Sequence, residues 1–105
     1  TITVQELAAK IETGADYYLV DVREPSEFEI VRIPTSHLIP KQGFLDGTVL
    51  SQLPQDKPII LHCKSGVRSA ECLAILKNAG FADASHISGG VIAWAKQIDT
   101  SLPVY

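Results

Sequence analysis

Pro58-Ile59-Ile60-Leu61-His62-Cys63-Lys64-Ser65-Gly66-Val67-Arg68-Ser69 is the stretch whose reading decides the fold. Its first residues form a continuous apolar run ending at His62. That is the pattern of a strand buried on both faces, as in a parallel sheet. Gly66 breaks the run, and residues from Arg68 to Asn78 read as a helix stopped by Gly80. A strand that passes through a short loop into a helix is half of a βαβ unit. The helix must then return the chain to a parallel neighbour by a right-handed crossover.

The flanks repeat the theme. Upstream, Thr3 and Glu6 make a capping box for a first helix whose apolar face is Leu7, Ala8 and Ile11, with Gly14 as its stop. Tyr17 to Val22 reads as a second buried strand. Ser26 is placed to cap a short helix through Ile30, and His37-Leu38-Ile39 reads as a short strand closed by Pro40. Lys41 to Gln55 is loosely helical, carried by Phe44, Leu45, Val49, Leu50 and Leu53. Downstream, Ala84 to Ile87 is a last strand, Gly89-Gly90 a turn and Val91 to Ile98 a final helix. The predicted fold class is α/β: one domain over residues 1–105, with a central, mostly parallel sheet flanked by helices.

Size and charge agree with this. A chain of 105 residues buries roughly 65% of its unfolded surface, enough for a core without disulfides or a metal. The net charge is −3, with Lys and Arg scattered, whereas a nucleic-acid partner needs a basic stripe. No run approaches a membrane span and no signal peptide opens the chain, so no membrane partner is expected. Two cysteines, Cys63 and Cys72, are too few for a disulfide scaffold or a four-ligand zinc site. No metal is expected, and a reducing cytoplasm is the default location. The sequence contains no Met, so the expectation is a domain excised from the C-terminus of a longer protein.

In open parallel sheets ligands bind beyond the carboxyl ends of the strands, and Cys63 falls there. The loop that follows points backbone N–H groups inward as an anion cradle, and the helix after it adds the positive end of its dipole. Gly66 gives the loop its φ freedom. Arg68 offers a planar fork to an anion, Lys64 adds a mobile charge, and Ser65 and Ser69 offer hydroxyls to the same centre. Lys64, Ser65, Gly66, Val67, Arg68 and Ser69 are therefore the predicted anion-binding loop. Cys63 is the predicted catalytic residue. A thiol that titrates near ~8.5 falls to about 3.5–7.5 in such surroundings, and no separate base is required. A small buried Cys at a strand end is the bland alternative, and it leaves the crowd of Gly, Lys, Arg and Ser unexplained.

The other polar residues read more plainly. Asp21 ends the strand expected beside that of Cys63. It is a supporting candidate that pairs with loop N–H groups or with Arg68, a structural ion pair being at least as good a reading. Arg23, the second supporting candidate, reads as structural with Glu27. His62 points to the face opposite Cys63 and is a core histidine rather than a base. His37 and His86 are isolated and receive no role. Cys72, nine residues past Cys63, and Trp94 are expected in the core.

With these motifs in view, the sequence resembles the rhodanese (thiosulfate sulfurtransferase-like) family over essentially its whole length. Cys63-Lys64-Ser65-Gly66-Val67-Arg68-Ser69 looks like that family's active loop. Leu19-Val20-Asp21-Val22-Arg23-Glu24 with Glu27-Phe28 is similar to its N-terminal signature, and Gly89-Gly90 with Ala93-Trp94 to its C-terminal one. Leu38-Ile39-Pro40-Lys41, Ala79-Gly80-Phe81 and Ser101-Leu102-Pro103-Val104-Tyr105 resemble the rhodanese domain that ends adenylyltransferase-sulfurtransferases of molybdenum-cofactor and sulfur-carrier pathways. Val31-Arg32-Ile33-Pro34-Thr35-Ser36 departs from the family, lacking its two glycines.

The resemblance implies a sulfurtransferase that carries sulfane sulfur as a Cys63 persulfide and needs no cofactor beyond that covalent intermediate. Donors would be a small anion such as thiosulfate or a persulfide donor protein. Acceptors would be a thiol, cyanide or a small sulfur-carrier protein, with an N-terminal adenylyltransferase domain expected in the same chain. Two alternatives stand beside it. One is a non-catalytic rhodanese-type docking module, whose usual mark, a degenerate loop, is missing. The other is a phosphatase or arsenate reductase. A phosphatase loop normally has one residue more between Cys and Arg than the four from Lys64 to Val67 here. The tighter ring leaves room for one sulfur atom rather than a tetrahedral phosphate. Asp46 is the remaining candidate for a phosphatase-type general acid.

Overall fold

A computed structural model of the chain describes residues 1–104; Tyr105, the last residue of the terminal segment quoted above, lies outside them. Helix α1 (Val4–Thr13) begins at the expected capping box: the Thr3 hydroxyl accepts the Glu6 N–H and the Glu6 carboxylate accepts the Thr3 N–H, both at 3.1 Å. Strand β1 (Tyr18–Asp21) follows. Helix α2 (Pro25–Ile30) starts one residue before the expected Ser26 cap. Pro25 is preorganised for the first helical position and has no N–H to satisfy, while the Glu24 N–H donates to Glu27 Oε1 at 3.1 Å.

Strand β2 (His37–Leu38) leads into helix α3 (Lys41–Leu45) and a 3-10 turn over Thr48–Ser51. The loosely helical stretch thus divides. Gly47 at φ 80° interrupts it, and the Asp46 carboxylate accepts the Thr48 N–H and hydroxyl at 2.9 and 2.7 Å. Strand β3 (Ile59–His62), helix α4 (Val67–Asn78), strand β4 (Ala84–His86) and helix α5 (Gly90–Gln97) complete the chain.

The four strands lie in the order β2-β1-β3-β4, and every neighbouring pair is parallel. The sheet expected to be mostly parallel is entirely so. β3 sits inside it with all four residues buried, each large apolar side chain contributing about 1.5–3 kcal/mol by its burial. Alternation divides the interior into two cores. Val20, Val22, Ile59, Leu61 and Cys63 face Phe44, Cys72 and Leu76 on one side. Leu19 and Ile60 face Leu7, Val91 and Trp94 on the other. Among the described residues, no helix is long and apolar enough to cross a membrane.

From β1 the chain runs outward to β2, and from β3 outward in the opposite direction to β4. The carboxyl ends of β1 and β3 therefore form the switch point where such sheets bind ligands. Cys63 stands at that point.

Candidate active site

The loop after β3 closes on the sulfur itself. Cys63 Sγ accepts the Gly66 N–H at 3.1 Å and the Ser69 N–H at 3.4 Å, and the Ser69 hydroxyl lies 3.6 Å from it. Gly66 holds φ 115° at the start of α4, a conformation open to Gly at little cost, and this turns its N–H back onto Sγ. Cys63 has no exposed surface. Burial pushes the thiol up, but the hydroxyl and N–H of Ser69, with the N–H groups of Gly66 and Ser65, outweigh it and hold Cys63 below its ordinary value. Cys72 has no such donors, and burial pushes it up to about 12.

Helix α5 supports the loop from behind. The Val91 N–H donates to the Cys63 carbonyl at 2.9 Å and the Ile92 N–H to the Lys64 carbonyl at 3.1 Å. This close approach requires Gly90: a Cβ there would lie 2.5 Å from both the Cys63 and Lys64 carbonyl oxygens. The glycine pair that reads as a simple turn therefore seats the active loop.

The remaining predicted residues divide by position. Lys64 and Arg68 are half-buried, Ser65 and Val67 are exposed, and Ser69 is buried. Ser65 reaches the sulfur through its backbone N–H. Arg68 does not present an open fork to the cradle. It grips Glu27 of α2 with both ends, Nη1 to Oε1 at 2.7 Å and Nη2 to Oε2 at 2.9 Å. Asp21 consequently takes neither of its expected partners. It pairs with Arg23 through three contacts of 2.7–3.1 Å, both side chains being buried without exposure. Arg23 also reaches the carbonyls of Glu27 and Val31. The reason is geometric: β1 ends with Asp21 inside the sheet, and the two-residue step to Arg23 folds its side chain back over the carboxylate.

His62 lies beside Asp21 in the parallel register, on the face opposite Cys63 as expected. It is fully buried as a core histidine; its Nδ1 lies 3.3 Å from the Cys63 carbonyl, and its Nε2 has no hydrogen-bond partner among the described residues. Nε2 is 3.8 Å from Asp21 Oδ2, and burial keeps the imidazole neutral by pushing it below its ordinary value. His37 stacks on Tyr18 with ring centroids 4.2 Å apart. Trp94 is in the core as expected. Asp46 is exposed, and its Thr48 donors hold it low and ionised, which is unsuited to a general acid.

Sequence reasoning missed His86. Its Nδ1 lies 2.8 Å from Ser69 Oγ, which places it in hydrogen-bond connection with the sulfur. It stands opposite Leu61 in the β3–β4 register, on the Cys63 face of the sheet, and no local motif marks that position.

Residues 3–97 match the rhodanese-like domain family. The chain belongs to it. A probable adenylyltransferase/sulfurtransferase, MoeZ, of Mycobacterium tuberculosis is 49% identical over the whole chain, which spans 27% of that protein's length. A sulfurtransferase of Allochromatium vinosum is 32% identical, with 90% of this chain aligned to 87% of that one. Among solved structures, a rhodanese-like domain protein from Staphylococcus aureus superposes with a TM-score of 0.80 at 32% identity, covering 99% of this chain and 96% of that one. Rhodanese-like domains of sulfurtransferases are thus its relatives.

Proposed function

We propose that this rhodanese-like domain transfers sulfane sulfur by way of a persulfide on Cys63. The observation that carries the reading is the direct donation of the Gly66 and Ser69 N–H groups to Cys63 Sγ. Donors so placed favour the thiolate before any substrate arrives, and they suit a negative sulfur one bond further out. The thiolate attacks the outer sulfur of thiosulfate, the S–S bond of the donor breaks, and sulfite leaves with its electron pair. An acceptor thiolate or cyanide then attacks the outer sulfur of the persulfide, and Cys63 leaves as thiolate. Lys64 steers the anionic donor, and Arg68, neutralised by Glu27, fixes the loop at the switch point.

A persulfide-bearing protein as donor, a small sulfur-carrier protein as acceptor, an adenylyltransferase half upstream, a molybdenum-cofactor or related pathway and a cytoplasmic setting belong to the same proposal. They draw on the adenylyltransferase/sulfurtransferase relative. The test is intact mass after incubation with thiosulfate. The chain gains one sulfur atom, a thiol removes it, and Cys63→Ser gains none. Wild-type chain that never gains the mass would sink the reading.

A further inference from the structure

Cys63, Ser69 and His86 form a continuous chain of titratable and hydroxyl groups that the sulfur-transfer scheme leaves unused. Ser69 Oγ stands between the two ends, 3.6 Å from Cys63 Sγ and 2.8 Å from His86 Nδ1. Three elements build it. β3 delivers Cys63, the first turn of α4 delivers Ser69, and β4, paired to β3, delivers His86. The hydroxyl is buried, and the imidazole is 8% exposed. We propose that His86 is a positioning residue that accepts the Cys63 proton through the Ser69 hydroxyl.

The step balances within the three groups. The Sγ–H bond breaks as its proton passes to Ser69 Oγ, and the hydroxyl's own proton passes to His86 Nδ1. The products are a thiolate and an imidazolium with no net change of charge. Afterwards the hydroxyl points at the sulfur and Nδ1–H donates to Oγ, so both bonds now favour the charged pair. When Cys63 leaves its persulfide as thiolate, the same imidazolium faces it through Ser69.

The surroundings suit an acceptor. Burial holds His86 below the ordinary imidazole value, so its ring is free to accept a proton at neutral pH. The Ile2 N–H donates to the His86 carbonyl at 2.9 Å. β3 presents Leu61 beside it, and Gly66 lies on the side toward the loop, where a Cβ on it would be 4.0 Å from the His86 Cε1. Among the described residues of these elements, Cys63 is the titrating side chain connected to it, through Ser69.

The inference rests on Cys63 being the nucleophile, and its test separates the two. The rate of Cys63 alkylation by iodoacetamide is followed by intact mass from about pH 5 to about pH 9 for wild type, His86→Asn, Ser69→Ala and the double variant. Access to the buried sulfur scales the rate alike at every pH, so the midpoint reports ionisation. Asn holds a hydrogen-bonding atom near the Nδ1 position but takes no proton. With His86→Asn the midpoint rises by about one unit, roughly tenfold less thiolate below it. Ser69→Ala gives a similar rise, and the double variant moves no further, because the two act as one path. His86→Gln carries the same expectation should the Asn variant fail to fold. A His86→Asn profile that superimposes on wild type overturns the relay, as do shifts that add fully in the double variant. Sulfur loading is read separately with thiosulfate: its failure in wild type removes the proposed function and leaves the midpoint comparison standing.

Discussion

Arg23 shows at the scale of one residue how much depends on a single buried charge. Its guanidinium and the Asp21 carboxylate are both without exposure, and each is tolerable inside the sheet because of the other. Replacing Arg23 by Met leaves Asp21 buried, charged and unpaired beside the partnerless Nε2 of His62. The expected cost is about 3–5 kcal/mol, measured by urea unfolding, with the midpoint falling sharply. An Arg23→Met chain as stable as wild type would overturn the role of Arg23 as the partner that Asp21 needs. Cys63 and Cys72 teach a related lesson. Both are buried cysteines, yet one is held low by donors from three residues, Ser69, Gly66 and Ser65, and the other is pushed up to about 12. Local donors, rather than burial, separate the two thiols.

At the scale of elements, the active loop is set between two helices. The end of the loop and the first turn of α4 supply the N–H groups of Gly66 and Ser69 that meet the sulfur, and α5 holds the carbonyls of Cys63 and Lys64. Gly90 is the contact point, at φ 57° and with no room for a methyl group. Gly90→Ala must push the loop forward as well as strain its own backbone. The expected loss is at least about 2 kcal/mol, together with a fall in the rate of Cys63 alkylation at neutral pH as the N–H donors drift from Sγ. Unchanged stability and alkylation rate in Gly90→Ala would refute the seating role. The whole motif was legible as three separate sequence blocks. That the third block buttresses the second was not, because hydrogen bonds from α5 to the loop join residues far apart in the chain.

At the scale of the molecule, one sheet has two covered faces, and each carries a histidine whose basicity is lowered by burial. His62 and His86 are both held below the ordinary imidazole value by burial. The unfolded chain therefore takes up protons that the folded chain does not as pH falls below about 6.5. Stability is full above that pH and declines below it, by up to about 1.4 kcal/mol per pH unit for each histidine until its folded value is reached. Urea midpoints read by Trp94 fluorescence from neutral pH down to about pH 5 check this. His62→Phe keeps a ring in place, removes one proton and lessens the slope. An unaltered slope in that variant would show that His62 titrates in the fold as it does in the unfolded chain.

The sequence by itself determined the α/β class, the order of strands and helices, and the loop from Cys63 to Ser69. Those signals are local: a buried strand needs a continuous apolar run, a helix needs its caps and period, and a loop that meets an anion needs Gly and N–H donors in succession. Tertiary structure alone decided the partners. Arg68 turned to Glu27 rather than to the cradle, Asp21 to Arg23, and His86 came to Ser69. The physical reason is that side-chain pairing follows strand register and crossover geometry. Those bring β4 beside β3 and α2 beside α4 without leaving a mark in either segment. Cys63 was visible in the sequence at the carboxyl end of a strand; its hydrogen-bond connection to His86 through Ser69 became visible only when the sheet was assembled.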